Sequence, residues 1–382
     1  MSKSLSIPDY AGLGIQNLAN TLLSHFGAVS RGPKLKLDLD LDKRVVLILI
    51  DGLSYQDLID VFNGQLQVSK LYRLSSVFPT TTSTVLTTLF TGLSPGQHGV
   101  LGPNLYLKEL GAIVNTLSMG LVIGERDGLH KAGYDLRRLF PIKSTIFEEL
   151  NALGVRNRVY VPKGLSGGLS RITYAGSEIV EYATYYDALV NAAKFMNEYD
   201  TIFVHIYITT VDSAAHKYGP DSEETKVVIR ETIDSVIRLS RNYLNKSTVL
   251  ITADHGHDEV IKGIRANDVQ ELLRVLSVPP YGDARAIYLK LNAENSISDI
   301  ATLLEQHNIR GNLIRREDAI NMGLFGEVNR DIIDRVGDII FIPSSGSSFI
   351  YLYKPDNEEI LSFRGQHGGL SERELYVPLI QV

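Results

Sequence analysis

Val45-Val46-Leu47-Ile48-Leu49-Ile50-Asp51-Gly52 is the stretch that decides the fold. Six aliphatic residues in a row, mostly β-branched and closed by Asp-Gly, mark a short strand buried on both faces. Two later runs read the same way: Ile202-Phe203-Val204-His205-Ile206, broken by one histidine, and Thr248-Val249-Leu250-Ile251-Thr252. Helical patterns lie between them, such as Thr145 to Leu153 and Glu224 to Leu244. This alternation predicts an α/β fold, with a mostly parallel central sheet and helices on both faces.

Further along, the rhythm breaks. Residues 262–356 hold a Pro279-Pro280-Tyr281-Gly282 turn, a strand-like Ala286 to Leu289, a helix-like Ser296 to Gln306 and a strand pair around Ile339 to Tyr353, with Pro343 to Ser348 as the loop between them. They read as an inserted α+β cap subdomain, leaving residues 1–261 and 357–382 as the core. Upstream of the first strand, the segment Ser4 to Ser30 has apolar residues at helical spacing and reads as a surface helix.

The bulk numbers narrow the function. A chain of 382 residues with 44% hydrophobic content and mean hydropathy of +0.01 can bury a large core. A net charge of −6 and a pI near 5.9 argue against a nucleic-acid polymer or an anionic membrane surface as the main partner. Small anionic substrates stay open. With no cysteine there is no disulfide, thiolate metal site or cysteine nucleophile, so any metal is held by histidines and carboxylates. The longest aliphatic run, Val45 to Ile50, is far below the roughly 18 to 20 residues of a membrane helix. Lacking a signal-like apolar stretch as well, the chain is expected to be soluble and cytoplasmic.

Each of the three apolar runs is followed within a few residues by an aspartate: Asp51, Asp212 and Asp254. Ligands gather at the carboxyl ends of strands in open α/β sheets, so these carboxylates can converge although far apart in sequence. Two of them bring histidines. Asp212 and His216 are four apart, on one face if the stretch is helical. Asp254-His255-Gly256-His257 makes a glycine turn, and His367 lies in Gly365-Gln366-His367-Gly368-Gly369. Asp51, Asp212, His216, Asp254, His255 and His367 are thus candidate oxygen and nitrogen ligands. Such a set suits Zn²⁺, with Mn²⁺ or Fe as alternatives, and its size suggests two divalent metal ions. Singly, an aspartate after a strand is a common helix cap and a histidine a common core residue; the combination is what points to a site.

A nucleophile belongs near such ligands. Phe78-Pro79-Thr80-Thr81-Thr82-Ser83-Thr84 precedes the helical pattern Val85 to Phe90, and a helix N-terminus favours anions. The residues alone do not choose among these five hydroxyls, which could equally be ordinary caps.

In order, Asp51-Gly52, the threonine stretch running into Thr91-Gly92-Leu93-Ser94-Pro95-Gly96-Gln97-His98-Gly99, Asp212-x3-His216, Asp254-His255-Gly256 and His367-Gly368 resemble the alkaline phosphatase superfamily. The similarity is greatest to its type I phosphodiesterase / nucleotide pyrophosphatase branch and spans residues 45–379. That resemblance places the nucleophile nine positions before Thr91, selecting Thr82, with Thr81 and Ser83 as supporting hydroxyls. It implies one metal on Asp212, His216 and His367 and another on Asp51, Asp254 and His255, beside Thr82. The implied reaction is two in-line displacements on a small phosphate ester, a nucleotide among the candidates, through a phosphothreonine. One position departs: the family's phosphate-binding asparagine, five after the His-Gly histidine, is Pro103 here, which leaves Asn104 as the nearest substrate contact. His257 is a candidate support for the ligands and His98 for its turn, while His25, His130, His205 and His307 read as structural; Lys108 and Lys163 read as solvated.

Related chemistries share this core, namely a phosphomonoesterase and a phosphonoacetate-type hydrolase. A mutase would normally carry a serine nucleophile, and the Cys- or Ser-Pro-Arg pattern of sulfatases is absent. A different class is a metal-free serine esterase, since Gly164-Leu165-Ser166-Gly167-Gly168 fits a nucleophile elbow. Against it, Pro162 intervenes and Leu169 to Ala175 reads as a strand where an elbow needs a helix. A non-catalytic, metal-stabilised binding module is the remaining alternative.

Overall fold

The computed structural model describes residues 5–382; of the expected N-terminal helical segment, Ser4 lies outside them. Strands are numbered β1 to β17 along the chain. Seven form the central sheet, in the order β2 (Lys70–Ser75), β17 (Tyr376–Gln381), β9 (Thr248–Thr252), β1 (Arg44–Ile50), β8 (Ile202–Ile208), β6 (Arg156–Pro162) and β7 (Glu178–Tyr182). β1 pairs in parallel with both β8 and β9, so the three apolar runs are neighbours at the centre of the sheet. Every side chain from Val45 to Ile50 is fully buried. Since successive side chains point to opposite faces, both faces are covered, and each such side chain contributes about 1.5–3 kcal/mol of burial.

Directionality explains where the site must lie. β17 runs antiparallel to β9 and to β2, so β2 is parallel to the central strands. The carboxyl ends of β1, β2, β8 and β9 and the amino end of β17 therefore share one rim.

A second seven-stranded sheet is antiparallel throughout, in the order β13 (Gly311–Arg315), β14 (Ile339–Pro343), β12 (Ala286–Leu289), β11 (Tyr281–Asp283), β3 (Asn104–Leu107), β4 (Ala112–Asn115) and β5 (Gly120–Leu121). Four of its strands come from residues 262–356 and three from residues 104–121. A small third sheet, β15 (Gly346–Ile350), β10 (Asp258–Arg265) and β16 (Gly365–Gln366), pairs Asp258 with Gln366 and so ties the segment after His257 to the segment before His367.

Most expected elements are present: helices at Thr82–Thr91, Ile146–Ala152, Thr210–Tyr218, Glu223–Tyr243 and Ile297–Gln306 match the patterns above. Four details differ. The helix Ile15–His25 is largely buried, not superficial, because Gln16, Asn17 and Asn20 turn inward and donate to the carbonyls of Gly92 and Pro33. Leu169 to Ala175 holds a short helix, Ser170–Thr173, where alternation suggested a strand. Tyr281 and Gly282 belong to β11, since Gly282 pairs with Ile287 of β12 and Asn104 of β3. Finally, β14 and β15 do not pair with each other; they enter different sheets.

Candidate active site and metal centre

The strand ends at the shared rim carry the chemistry. Asp51 follows β1, and its N–H donates to Ile208 O at 2.8 Å while its own carbonyl accepts from Asp212 N–H at 2.9 Å. The backbone thus pins the end of β1 to the start of the Thr210–Tyr218 helix. Gly52 makes this approach feasible: its φ is +77°, and a Cβ there would lie 2.7 Å from Asp212 Cα.

Asp51, Asp254 and His255 form one compact trio. His255 Nε2 lies 3.5 Å from both Asp51 Oδ1 and Asp254 Oδ2, and all three residues are buried. Asp254 Oδ1 is fixed by the N–H groups of Gly52 and His255, at 3.2 and 3.0 Å, and Asp51 Oδ2 by the Tyr207 hydroxyl. Thr82 Oγ1 sits 3.2 Å from His255 Nε2, at the first residue of the Thr82–Thr91 helix. The cap of that helix is Thr81, which makes no side-chain capping bond, so the Thr82 hydroxyl is not engaged in capping. Of the surrounding hydroxyls, Thr80 is tied to the Gly368–Gly369 backbone, and Ser83 and Thr84 are fully buried.

Asp212 anchors a second group. Its Oδ1 lies 3.3 Å from His216 Nε2 and 3.0 Å from His257 Nε2, and His367 also approaches it together with His255. Which imidazoles face a cation follows from their other nitrogens. A carbonyl only accepts, so a ring nitrogen against one must carry the proton. Nδ1 of His216 meets Gly365 O at 2.9 Å, that of His255 meets Gly256 O at 3.2 Å, and that of His367 meets Thr80 O at 3.2 Å. In each neutral ring Nε2 is then the lone-pair nitrogen, turned to the cluster, the arrangement typical of metal-ligating histidines. His257 is different: its buried Nδ1 has no partner, so its proton belongs on Nε2, where it donates to Asp212. His257 orients the carboxylate.

Electrostatics tests whether cations suit these residues. Asp51 Oδ1 and Asp254 Oδ2 are buried without a hydrogen-bond donor. Burial and the facing carboxylates Asp254 and Asp212 push Asp51 well above the usual range, and burial lifts Asp254 to about 6. Burial would lower His367, yet Asp283, Asp212 and Asp254 together hold it up to about 9. Burial is the largest cause for both aspartates, and the carboxylates gathered here add a negative potential that also holds His367 up. Such a field is costly for the protein alone and would be offset by a bound divalent cation. The all-oxygen and nitrogen donor set fits Zn²⁺, Mn²⁺ or Fe.

Above this floor opens a cavity of about 470 Å³ that Thr82, Asp51, Asp212, His216 and His367 line. Asn104 lines it from β3 and accepts from Asn115 at 3.3 Å. Asp283, at the end of β11, escaped the sequence reading. Its Oδ2 is 3.4 Å from His367 Nδ1, so the second sheet buttresses a residue of the floor. No periodicity marks it, because it falls in a three-residue strand read as a turn. Ser166 is elsewhere and exposed, donating to Glu181 at 2.6 Å where an elbow serine would face an imidazole. His98 is buried between Thr88 and Val100, inside the turn it was expected to support.

The cluster thus sits at one rim of a largely parallel α/β sheet. The model of the type I phosphodiesterase / nucleotide pyrophosphatase family matches residues 45–370, and the chain belongs to that family. Murine ectonucleotide pyrophosphatase / phosphodiesterase 5 has a similar fold, with a TM-score of 0.65 at 16% identity over 88% of this chain and 87% of that one. Phosphonoacetate hydrolase from Sinorhizobium meliloti 1021, solved with phosphonoformate, gives a TM-score of 0.62 at 20% identity over 88% and 89%. In sequence, ectonucleotide pyrophosphatase/phosphodiesterase family member 7 of Rattus norvegicus is 34% identical over 84 residues, 20% of this chain. The chain spans 18% of that relative's length. Among the described residues no helix is long and apolar enough to cross a membrane.

Proposed function

We propose that this chain is a two-metal phosphodiesterase or nucleotide pyrophosphatase that acts through a covalent phosphothreonine on Thr82. The observation that carries the reading is the Thr82 hydroxyl, free of capping duty and 3.2 Å from His255 Nε2 beside two buried carboxylates. Asp212, His216 and His367 would hold one cation, and Asp51, Asp254 and His255 the other. When bound, such ions withdraw charge from a nearby hydroxyl and offset the negative charge of the phosphoryl group in flight.

The chain's own residues supply the rest. Thr82 Oγ forms a bond to phosphorus as the bond to the leaving oxygen breaks; the hydroxyl proton passes to water, and the leaving oxygen takes one from water. A water molecule then attacks the phosphothreonine, restoring the hydroxyl and freeing the phosphoryl product. The N-terminus of the Thr82–Thr91 helix would favour the phosphoryl oxygens, and Asn104, which lines the cavity, would donate to one of them. A murine neighbour solved as an inactive threonine-to-alanine variant with AMP supports both the nucleophile type and a nucleotide-sized ligand. Phosphomonoester or phosphonate cleavage would use the same floor. The cavity's room beyond the transferred group, walled by Phe349, Tyr351, Tyr353 and Phe363, favours a diester.

Matched chromogenic monoester and diester substrates, assayed with metal-reconstituted and chelated protein, test this. The expected result is metal-dependent turnover, greater on the diester. Turnover that survives chelation would overturn the reading.

A further inference from the structure

The walls of the cavity are unequal in charge. Its floor carries Asp51, Asp212 and Asp283, and most of the wall is apolar or aromatic. One segment of the wall builds a polar patch: Asn104 on β3, Asn115 directly across on β4, and Arg126 just beyond β5. Among the described lining residues Arg126 is the sole Lys or Arg.

Arg126 is also uncommitted. Nη2 donates to Gly167 O at 2.9 Å, which orients the guanidinium along the Gly164–Gly168 loop and leaves its other N–H groups without protein acceptors. The neighbouring Asp127 is already taken, paired with Arg171 at 2.7 Å and accepting from Gly168 N–H at 2.8 Å. Arg126 acts on it only through space. Among the described residues Arg126 forms no ion pair. Arg126 is exposed, whereas the buried Arg285 and half-buried Arg373 are matched with Glu374 and Asp57. A guanidinium oriented on a cavity wall without a counter-ion has its planar donors available for a carboxylate or phosphate.

We infer that Arg126 is a specificity-determining residue that binds a second anionic group on the substrate, so that the site selects esters with a further phosphate beyond the one transferred. This rests on the proposed phosphoester hydrolysis at Thr82. At about 470 Å³ the cavity falls within the roughly 300–1,000 Å³ typical of small-molecule sites.

Two substrates separate this inference from the reading beneath it. In bis(p-nitrophenyl) phosphate the only charge lies on the transferred phosphate, whereas a nucleoside 5′-triphosphate brings additional ones. Metal-reconstituted wild type and the Arg126→Ala and Arg126→Lys variants are compared on both. The expected result is a KM for the triphosphate raised about tenfold by Arg126→Ala and partly restored by Arg126→Lys. Its kcat, the kinetics on bis(p-nitrophenyl) phosphate and the melting temperature should stay within about twofold or a few degrees of wild type. Equal losses on both substrates, or none on the triphosphate, would overturn the role of Arg126 while leaving the hydrolase intact. A wild type inert toward both would instead remove the proposed reaction.

Discussion

The floor and the wall of the cavity are built on opposite principles. The floor is drawn from segments spread between Asp51 and His367, yet its groups are buried or half-buried, mostly ionisable, and held by backbone contacts at strand ends. The wall, mainly from residues 103–126, 165–174 and 280–363, is mostly aromatic and aliphatic, and includes exposed residues such as Leu117 and Arg126. Rigid sheet ends fix the groups that must meet a phosphorus atom within tenths of an ångström. Softer contacts around them suffice to choose the rest of the substrate.

Substitutions on the two regions should therefore separate by kind of effect as well as by size. The largest is expected for Thr82→Ala on the floor: turnover falls by roughly a thousandfold or more, with metal content and melting temperature unchanged. Unaltered turnover would remove Thr82 as nucleophile, and loss without change in metal content or stability would dispose of a purely binding role. Asp254→Asn comes next. It removes charge from the most enclosed ligand and should lower metal occupancy, read by elemental analysis, together with turnover. Where floor meets wall, Asp283→Asn should weaken metal binding by about 10–100-fold through His367, measured by competition with a chromogenic chelator. Unchanged affinity would mean that Thr80 O alone orients His367. Smallest is Tyr351→Ala on the wall, expected to raise KM for an aromatic diester by about 2–10-fold with kcat nearly constant. A kcat effect as large as its KM effect would erase the distinction between the two regions.

The same contrast explains what the residues revealed in advance. β1, β8 and β9 are legible because a strand buried on both faces must be apolar throughout, and the aspartates after them stand out against those runs. His216 is legible by its four-residue spacing from Asp212, within the helix Thr210–Tyr218. Choosing Thr82 from five hydroxyls needed the family's spacing, since capping and nucleophilic threonines look alike in sequence. Three features of the cavity were not legible. β3, β4 and β5 have only two to four residues each, and their place beside β11 is set by partners more than 150 positions away, as with Asn104 and Gly282. Alternation suggested a strand at Leu169 to Ala175, but Leu169, Ile172 and Thr173 are buried from a helical turn. Asp283 gains its significance only from His367, which arrives from the far end of the chain.

The central claim is that Asp51, Asp254 and His255 on one side, and Asp212, His216 and His367 on the other, bind a pair of cations next to Thr82. Anomalous diffraction at the zinc absorption edge, from crystals of zinc-reconstituted protein, tests it most directly. Two peaks are expected, one against each trio, with the Thr82 oxygen facing the one nearer His255. A cluster free of anomalous signal, or zinc bound only at surface histidines such as His130 and His307, would contradict it.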